Sequence, residues 1–253
     1  MAGHSKWSKI KRLKGALDSK RGMLFAKLSK EITVAARAGG GNPSTNHRLR
    51  AAVQSARSQS MPNENIERAI KKGSGESASA AVDEMVYEGY AQGGVAVIVE
   101  AATDNRNRTA ADMRQIFSKN HGSLAGPGSV LYLFHRKGQI SLPSAPAKED
   151  RILEIILDSG AEEMESDISH HTITTPPDKL YAVAEALRSA GFEPESQKLN
   201  YIPETTVSIA DATMASQILR LCDALEENDD VLGVHANLDI SDELLAEVQE
   251  NHS

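Results

Sequence analysis

Any chemistry in this chain has to come from a few clusters. Two acidic runs, Glu162, Glu163 and Glu165 with Asp167, and Glu226, Glu227 with Asp229 and Asp230, hold carboxylates of the kind a divalent cation needs. Magnesium requires such groups to converge on near-octahedral geometry, and runs of neighbouring acids are usually solvated turns. His170-His171 is the only adjacent histidine pair, and neighbours in a strand point to opposite faces. Cys222 is the single cysteine, which leaves neither an internal disulfide nor a cysteine-based zinc site and fits a reducing compartment. Walker A, dinucleotide-binding, HExxH and GxSxG patterns are absent. The expectation is a non-enzyme with no metal, no cofactor, no catalytic residue and no small-molecule substrate.

The cations are more informative. Residues 1–17 carry Lys6, Lys9, Lys11, Arg12 and Lys14, no acid, and one aromatic, Trp7. Such an arm buries too little to fold alone. It can wrap a polyanion, with Trp7 stacking on a base or packing on the domain. The net charge of −7 conceals a split: the first 78 residues hold 16 of the 28 Lys and Arg but 5 of the 35 acids, for +11, and the remainder carries −18. A basic module fused to an acidic body is expected, with nucleic acid, DNA or ribosomal RNA, as its partner. Lys20, Arg21, Lys27, Lys30 and Arg37 extend the patch, and Arg48, Arg50 and Arg57 follow. In the acidic body, Thr103 to Thr109 stands out, with Asn105, Arg106, Asn107 and Arg108 inside it. It reads equally as an anion or RNA contact at a helix N-terminus and as a helix cap whose arginines pair with nearby acids.

These residues need elements to hold them. Leu24, Leu28, Ile32, Ala35 and Ala36 recur at helical spacing, with Lys20, Lys27, Lys30 and Arg37 roughly opposite. Gly39-Gly40-Gly41 ends that helix. A second, capped by Asn46, runs to about Ser60, and a third runs from Asn63 to Lys72 before Gly73. Residues 1–78 are thus a basic helical domain with an N-terminal arm, and a Gly/Ser/Ala linker follows. Val95–Val99, Val130–Phe134, Thr205–Ile209 and Val231–Leu238 read as strands, with helices over Thr109–Lys119 and Ala212–Leu225. Between them lies a second set of strands (Gln139–Leu142, Glu162–Ser166, Thr172–Thr175, Glu195–Tyr201) and helices (Lys148–Leu157, Pro177–Ala190). The expected fold is α+β: three helices, then two ferredoxin-like split βαβ domains, 82–135 plus 203–253 and, inserted in it, 136–202. Neither strand Val95–Val99 nor strand Thr205–Ile209 holds an aromatic, so base stacking in the manner of an RNA-recognition module is not expected. No apolar run is long enough for a membrane helix.

The opening Met1-Ala2-Gly3-His4-Ser5-Lys6-Trp7 resembles that of the YebC/PmpR family. The likeness continues through Lys27, Lys30-Glu31-Ile32, Asn46, Met61-Pro62, Tyr87-Glu88-Gly89-Tyr90, Thr103 to Thr109 and Asp230-Val231. It departs at Asn120 to Gly128, where the family usually has a Gly-Gly-Asn-Leu-Gly turn. The resemblance implies three domains and a cytoplasmic protein without enzymatic activity. It implies a probable DNA-binding regulator of transcription or, alternatively, a ribosome-associated translation factor relieving stalls at proline-rich stretches. A mitochondrial relative activates translation of a cytochrome oxidase subunit. The resemblance also implies that the basic N-terminus is mature protein and not a transit peptide.

Overall fold

Three helices come first in the computed structural model, which describes residues 21–75, 82–144 and 148–250. They are α1 (Arg21–Gly39), α2 (His47–Ser58) and α3 (Asn63–Gly73). Ile32, Leu49, Val53, Ala56 and Ile66 form their shared core. Asn46 ties α1 to α2: its Oδ1 accepts from Leu49 N at 3.0 Å, while Nδ2 donates to Ala35 O at 2.7 Å and Gly40 O at 2.9 Å. Gly73 closes α3 directly against α1, where a Cβ would stand 2.2 Å from Thr33 O.

The fold is α+β. The helices are followed by β1 (Asp83–Tyr90), β2 (Ala96–Thr103), α4 (Arg106–Lys119) and β3 (Ser123–Ala125). Next come β4 (Phe134–Pro143), α5 (Glu149–Asp158), β5 (Glu163–Ser166), β6 (His170–Thr175), α6 (Leu180–Ser189) and β7 (Ser196–Pro203). The chain ends with β8 (Val207–Ile209), α7 (Ala212–Glu226), β9 (Val231–Ala236), β10 (Leu238–Ile240) and α8 (Asp242–Glu250). Two compact units result, 1–134 with 203–253, and 135–202.

In the first unit the four-stranded sheet has the order β3-β1-β2-β9, and each neighbouring pair is antiparallel. Val97, Val99 and Ala101 of β2 pack on Met113 and Phe117 of α4 and on the α7 core, which includes the buried Cys222. Ala102, on the other face, packs with Val34 of α1, Val82 and Leu232. Burial of both faces explains the unbroken apolar run that marks β2 in the sequence.

Several elements differ from the sequence reading, which has no counterpart to β1, β3, β10 or α8. Val130–Phe134 is not a strand: Leu131–Leu133 form a 3-10 turn, and Phe134 opens β4. The cause is Glu88, whose buried carboxylate accepts from the backbone N–H groups of Gly128, Val130 and Leu131 at 2.6, 2.7 and 2.8 Å. Those groups are therefore not available to a strand ladder. The place left in the sheet is filled by β1, which the sequence reading did not find. A further difference is β8, which pairs in parallel with β10 outside the four-stranded sheet.

The second unit follows the order β4-α5-β5-β6-α6-β7, with sheet order β5-β6-β4-β7. Ile140, Ile152, Ile156, Ile173, Leu180 and Leu187 fill its core.

Candidate nucleic-acid interface

The expected cations fall into three groups. Lys6, Trp7, Lys9, Lys11, Arg12, Lys14 and Lys20 lie outside the described residues, and of Arg21 only the backbone is described.

The second group is engaged within the chain. Lys27, Lys30, Val34 and Arg37 share one stripe of α1, since steps of three and four residues return to the same side of a helix. That stripe is docked on the α/β layer. Lys27 donates to the carbonyl of Glu226. Lys30 donates to Asp229 O at 2.7 Å and to the carboxylate of Asp230. Arg37 donates to Val82 O at 2.7 Å. Arg48 bridges Glu31 (2.9 Å) and Glu84 (2.8 Å). Burial alone would lower its pKa, but the bonds and charges of those two carboxylates raise it above the ordinary arginine value. Arg50 braces the α1–α2 loop by donating to Pro43 O and Ser44 O at 2.9 and 2.6 Å.

The third group is free to act outward. Arg57 on α2 and Lys71 and Lys72 at the end of α3 are exposed, and no hydrogen bond or ion pair links them to the described residues. Arg68, also exposed, pairs with Glu64 one turn earlier at 2.8 Å. Arg68, Lys71 and Lys72 were counted in the basic surplus but not singled out as contacts. Their position at the C-terminal half of a short helix was the available signal.

The docked stripe centres on Asp230, whose side chain is 5% exposed. Oδ1 takes Lys30, while Oδ2 accepts from Thr109 at 2.6 Å, Arg108 at 3.0 Å and Thr103 at 3.2 Å. Burial would push this carboxyl upward, but hydrogen bonds from Lys30, Thr109 and Arg108, with the Lys30 charge, outweigh it and hold the pKa well below the carboxylate range. The Thr103–Thr109 segment thus takes the cap geometry. Asn105 Oδ1 accepts from Arg108 N at 3.1 Å. Arg106 pairs with Asp83 at 2.9 Å, and Arg108 pairs with Asp104 at 3.1 Å as well as with Asp230. Asn107 is exposed and has no side-chain partner among the described residues.

Members of the acidic clusters are likewise engaged. Glu162 pairs with Lys137 at 2.7 Å. Asp167 Oδ1 accepts from Ser169 N and His170 N at 2.8 and 2.9 Å and so holds the β5–β6 turn. Among the described residues no group of three His, Cys, Asp or Glu could hold a metal ion. Nor is any described helix long and apolar enough to cross a membrane.

Comparison with known proteins identifies the family. Residues 5–76 match the model of the TACO1/YebC protein N-terminal domain, and residues 82–238 that of the TACO1/YebC second and third domain. The chain is 55% identical over 249 residues to a probable transcriptional regulatory protein of Rubrobacter xylanophilus, covering 98% of this chain and 99% of the relative. It is 49% identical over 251 residues to one of Chlorobium phaeobacteroides, covering 99% and 100%. A crystal structure of a conserved hypothetical protein from Aquifex aeolicus is similar with a TM-score of 0.83 and 47% identity, over 89% of this chain and 93% of that one. Two matching domain models and relatives of this identity along nearly the whole length show that the chain belongs to the TACO1/YebC family.

Proposed function

We propose that the protein is a non-enzymatic regulator that binds nucleic acid, DNA in the first instance, by phosphate contacts from its N-terminal domain. The observation that carries this is the set of exposed cations Arg57, Lys71 and Lys72, without a partner among the described residues, on a domain whose sequence holds 16 Lys and Arg against 5 acids. The relatives named probable transcriptional regulatory proteins support the regulatory role. Helices α2 and α3 are joined by four residues, 59–62, a connection of helix-turn-helix length. The first half of α3, however, exposes Glu64 and Glu67, and carboxylates at the reading end of a helix are repelled by phosphate. The contact is therefore to the backbone and carries little base readout.

The test is the salt dependence of binding to duplex DNA. Arg57→Ala with Lys71→Ala, and separately Lys9, Lys11, Arg12 and Lys14 to Ala, should weaken binding. Each lost phosphate contact should reduce the slope of log K against log salt by about 0.9. Unchanged slopes in both variants would remove this domain as the contact surface. Tighter binding to a folded RNA at matched salt would replace DNA with a ribosomal partner.

A further inference from the structure

A groove of about 420 Å³ opens between α1, α3 and the start of α4, a volume in the range of small-ligand sites. Lys30, Arg68, Lys72 and Arg108 line it, against two carboxylates, Asp104 and Asp230. The inner charges cancel, because Lys30 and Arg108 hold Asp230 and Arg108 also holds Asp104. The surplus sits on the α3 wall. Lys72 has no partner among the described residues. Arg68 has only its exposed pair with Glu64, an interaction worth a few tenths of a kcal/mol that a ligand can displace.

Two polar side chains on the same walls are also unspent. The Ser29 hydroxyl and the Asn65 amide, both half-buried, have no hydrogen-bond partner among the described residues. Both remain within reach of solvent, so a ligand entering the groove finds a hydroxyl and an amide that it can bond without displacing a protein partner. Phe25 adds an aromatic wall, with Ala26, Ala69 and Val82 beside it. Two spare cations, an amide, a hydroxyl and an aromatic ring in one concave site match the parts of a nucleotide: phosphate on Arg68 and Lys72, sugar or base edge on Ser29 and Asn65, base plane against Phe25.

We propose that this groove binds a nucleoside 5′-phosphate, taken either as a free mononucleotide or as the phosphorylated end of a strand. The site shares Lys72 with the cations on which the duplex contact rests, and Arg57→Ala with Lys71→Ala, which leaves every groove residue in place, should bind mononucleotides as the parent does. Isothermal titration of the full chain with AMP, GMP, CMP and UMP, with adenosine and inorganic phosphate as comparisons, tests it. Saturable binding of at least one mononucleotide is expected, with adenosine weaker. Lys72→Ala and Arg68→Ala should each weaken binding by roughly tenfold, with an unchanged melting temperature because both side chains are exposed. Lys119→Ala, on α4 away from the groove lining, should bind as the parent does.

No binding of any of the four mononucleotides would overturn the proposal, as would full affinity in both α3 variants. A 5′-phosphorylated single-stranded oligonucleotide that binds more tightly than its 5′-hydroxyl form, with the preference lost in Lys72→Ala, assigns the source to a strand end. Mononucleotide binding without that preference assigns it to a free nucleotide. Duplex binding that survives when mononucleotides fail sinks the groove alone, and the converse sinks the duplex reading alone.

Discussion

Asp230 and Glu88 are buried carboxylates that hold together segments joined by no strand ladder. Asp230 ties α1 to the Thr103–Thr109 segment, and its pKa is depressed in the folded state. A depressed folded pKa stabilises above the unfolded value, about 3.9 for Asp. That stabilisation is lost as pH falls through the folded value. Urea unfolding should therefore show stability falling as pH drops below about 4, and Asp230→Asn should flatten that fall and cost about 3 kcal/mol at pH 7. An Asn variant as stable as the parent at pH 7 would remove Asp230 as the anchor. For Glu88, burial raises the pKa but the backbone N–H groups of Val130, Gly128 and Leu131 bring it below the ordinary value. Glu88→Gln leaves one of those groups without an acceptor and should cost about 2 kcal/mol. Hydrogen exchange at Gly128, Val130 and Leu131 should quicken, and protection equal to the parent's would refute the clamp. Neither role was legible in the sequence. Asp230 reads as one acid in a solvated run, and its partner Lys30 lies far upstream in the chain.

At the scale of elements, α1 shows what periodicity can and cannot tell. The apolar face through Leu28, Ile32, Ala35 and Ala36 was legible and does build the helical core. The opposite stripe reads as part of the nucleic-acid-binding patch because its members are mostly cations. It is docked instead, and Val34 was the one apolar residue in it that signalled a second buried face. Strand β1 escaped because Asp83, Glu84 and Glu88 interrupt its alternation, whereas the run Val130–Phe134 had a strand's composition but its N–H groups go to Glu88. The closeness of α1 to α3 gives a prediction at this scale. Gly73→Ala would place a Cβ 2.2 Å from Thr33 O and 2.7 Å from the Ala36 Cβ. The helices must part, and thermal melting should show a loss of about 1–3 kcal/mol. A melting temperature equal to the parent's would mean that α3 shifts without cost.

At the scale of the molecule, the charge split was the most legible feature of the sequence, but its meaning has changed. Part of the +11 faces part of the −18 inside one compact unit, through Lys30 with Asp230 and Arg48 with Glu84. What remains outward is the set on which the duplex contact rests. The inserted segment was legible as well, since its helices and strands repeat the order of a split βαβ unit. Its strands carry their own core, built wholly from residues 140–199, and a chain ending at residue 202 should leave residues 135–202 resistant to limited proteolysis. Cleavage throughout that segment at the rate seen for the rest of the truncated chain would show that it is not an autonomous unit.

The position of β9 has a consequence in time. β9 is the edge neighbour of β2, and Asp230 stands at its threshold, yet both are made after the inserted segment. During synthesis the N-terminal helices therefore emerge long before the residue that anchors Lys30 exists. Residues 135–202 can complete a sheet while the earlier one still lacks a strand. The basic domain of a nascent chain spends that interval without the partners of Lys27 and Lys30, which face whatever polyanion is nearby until the last fifty or so residues fold and withdraw them.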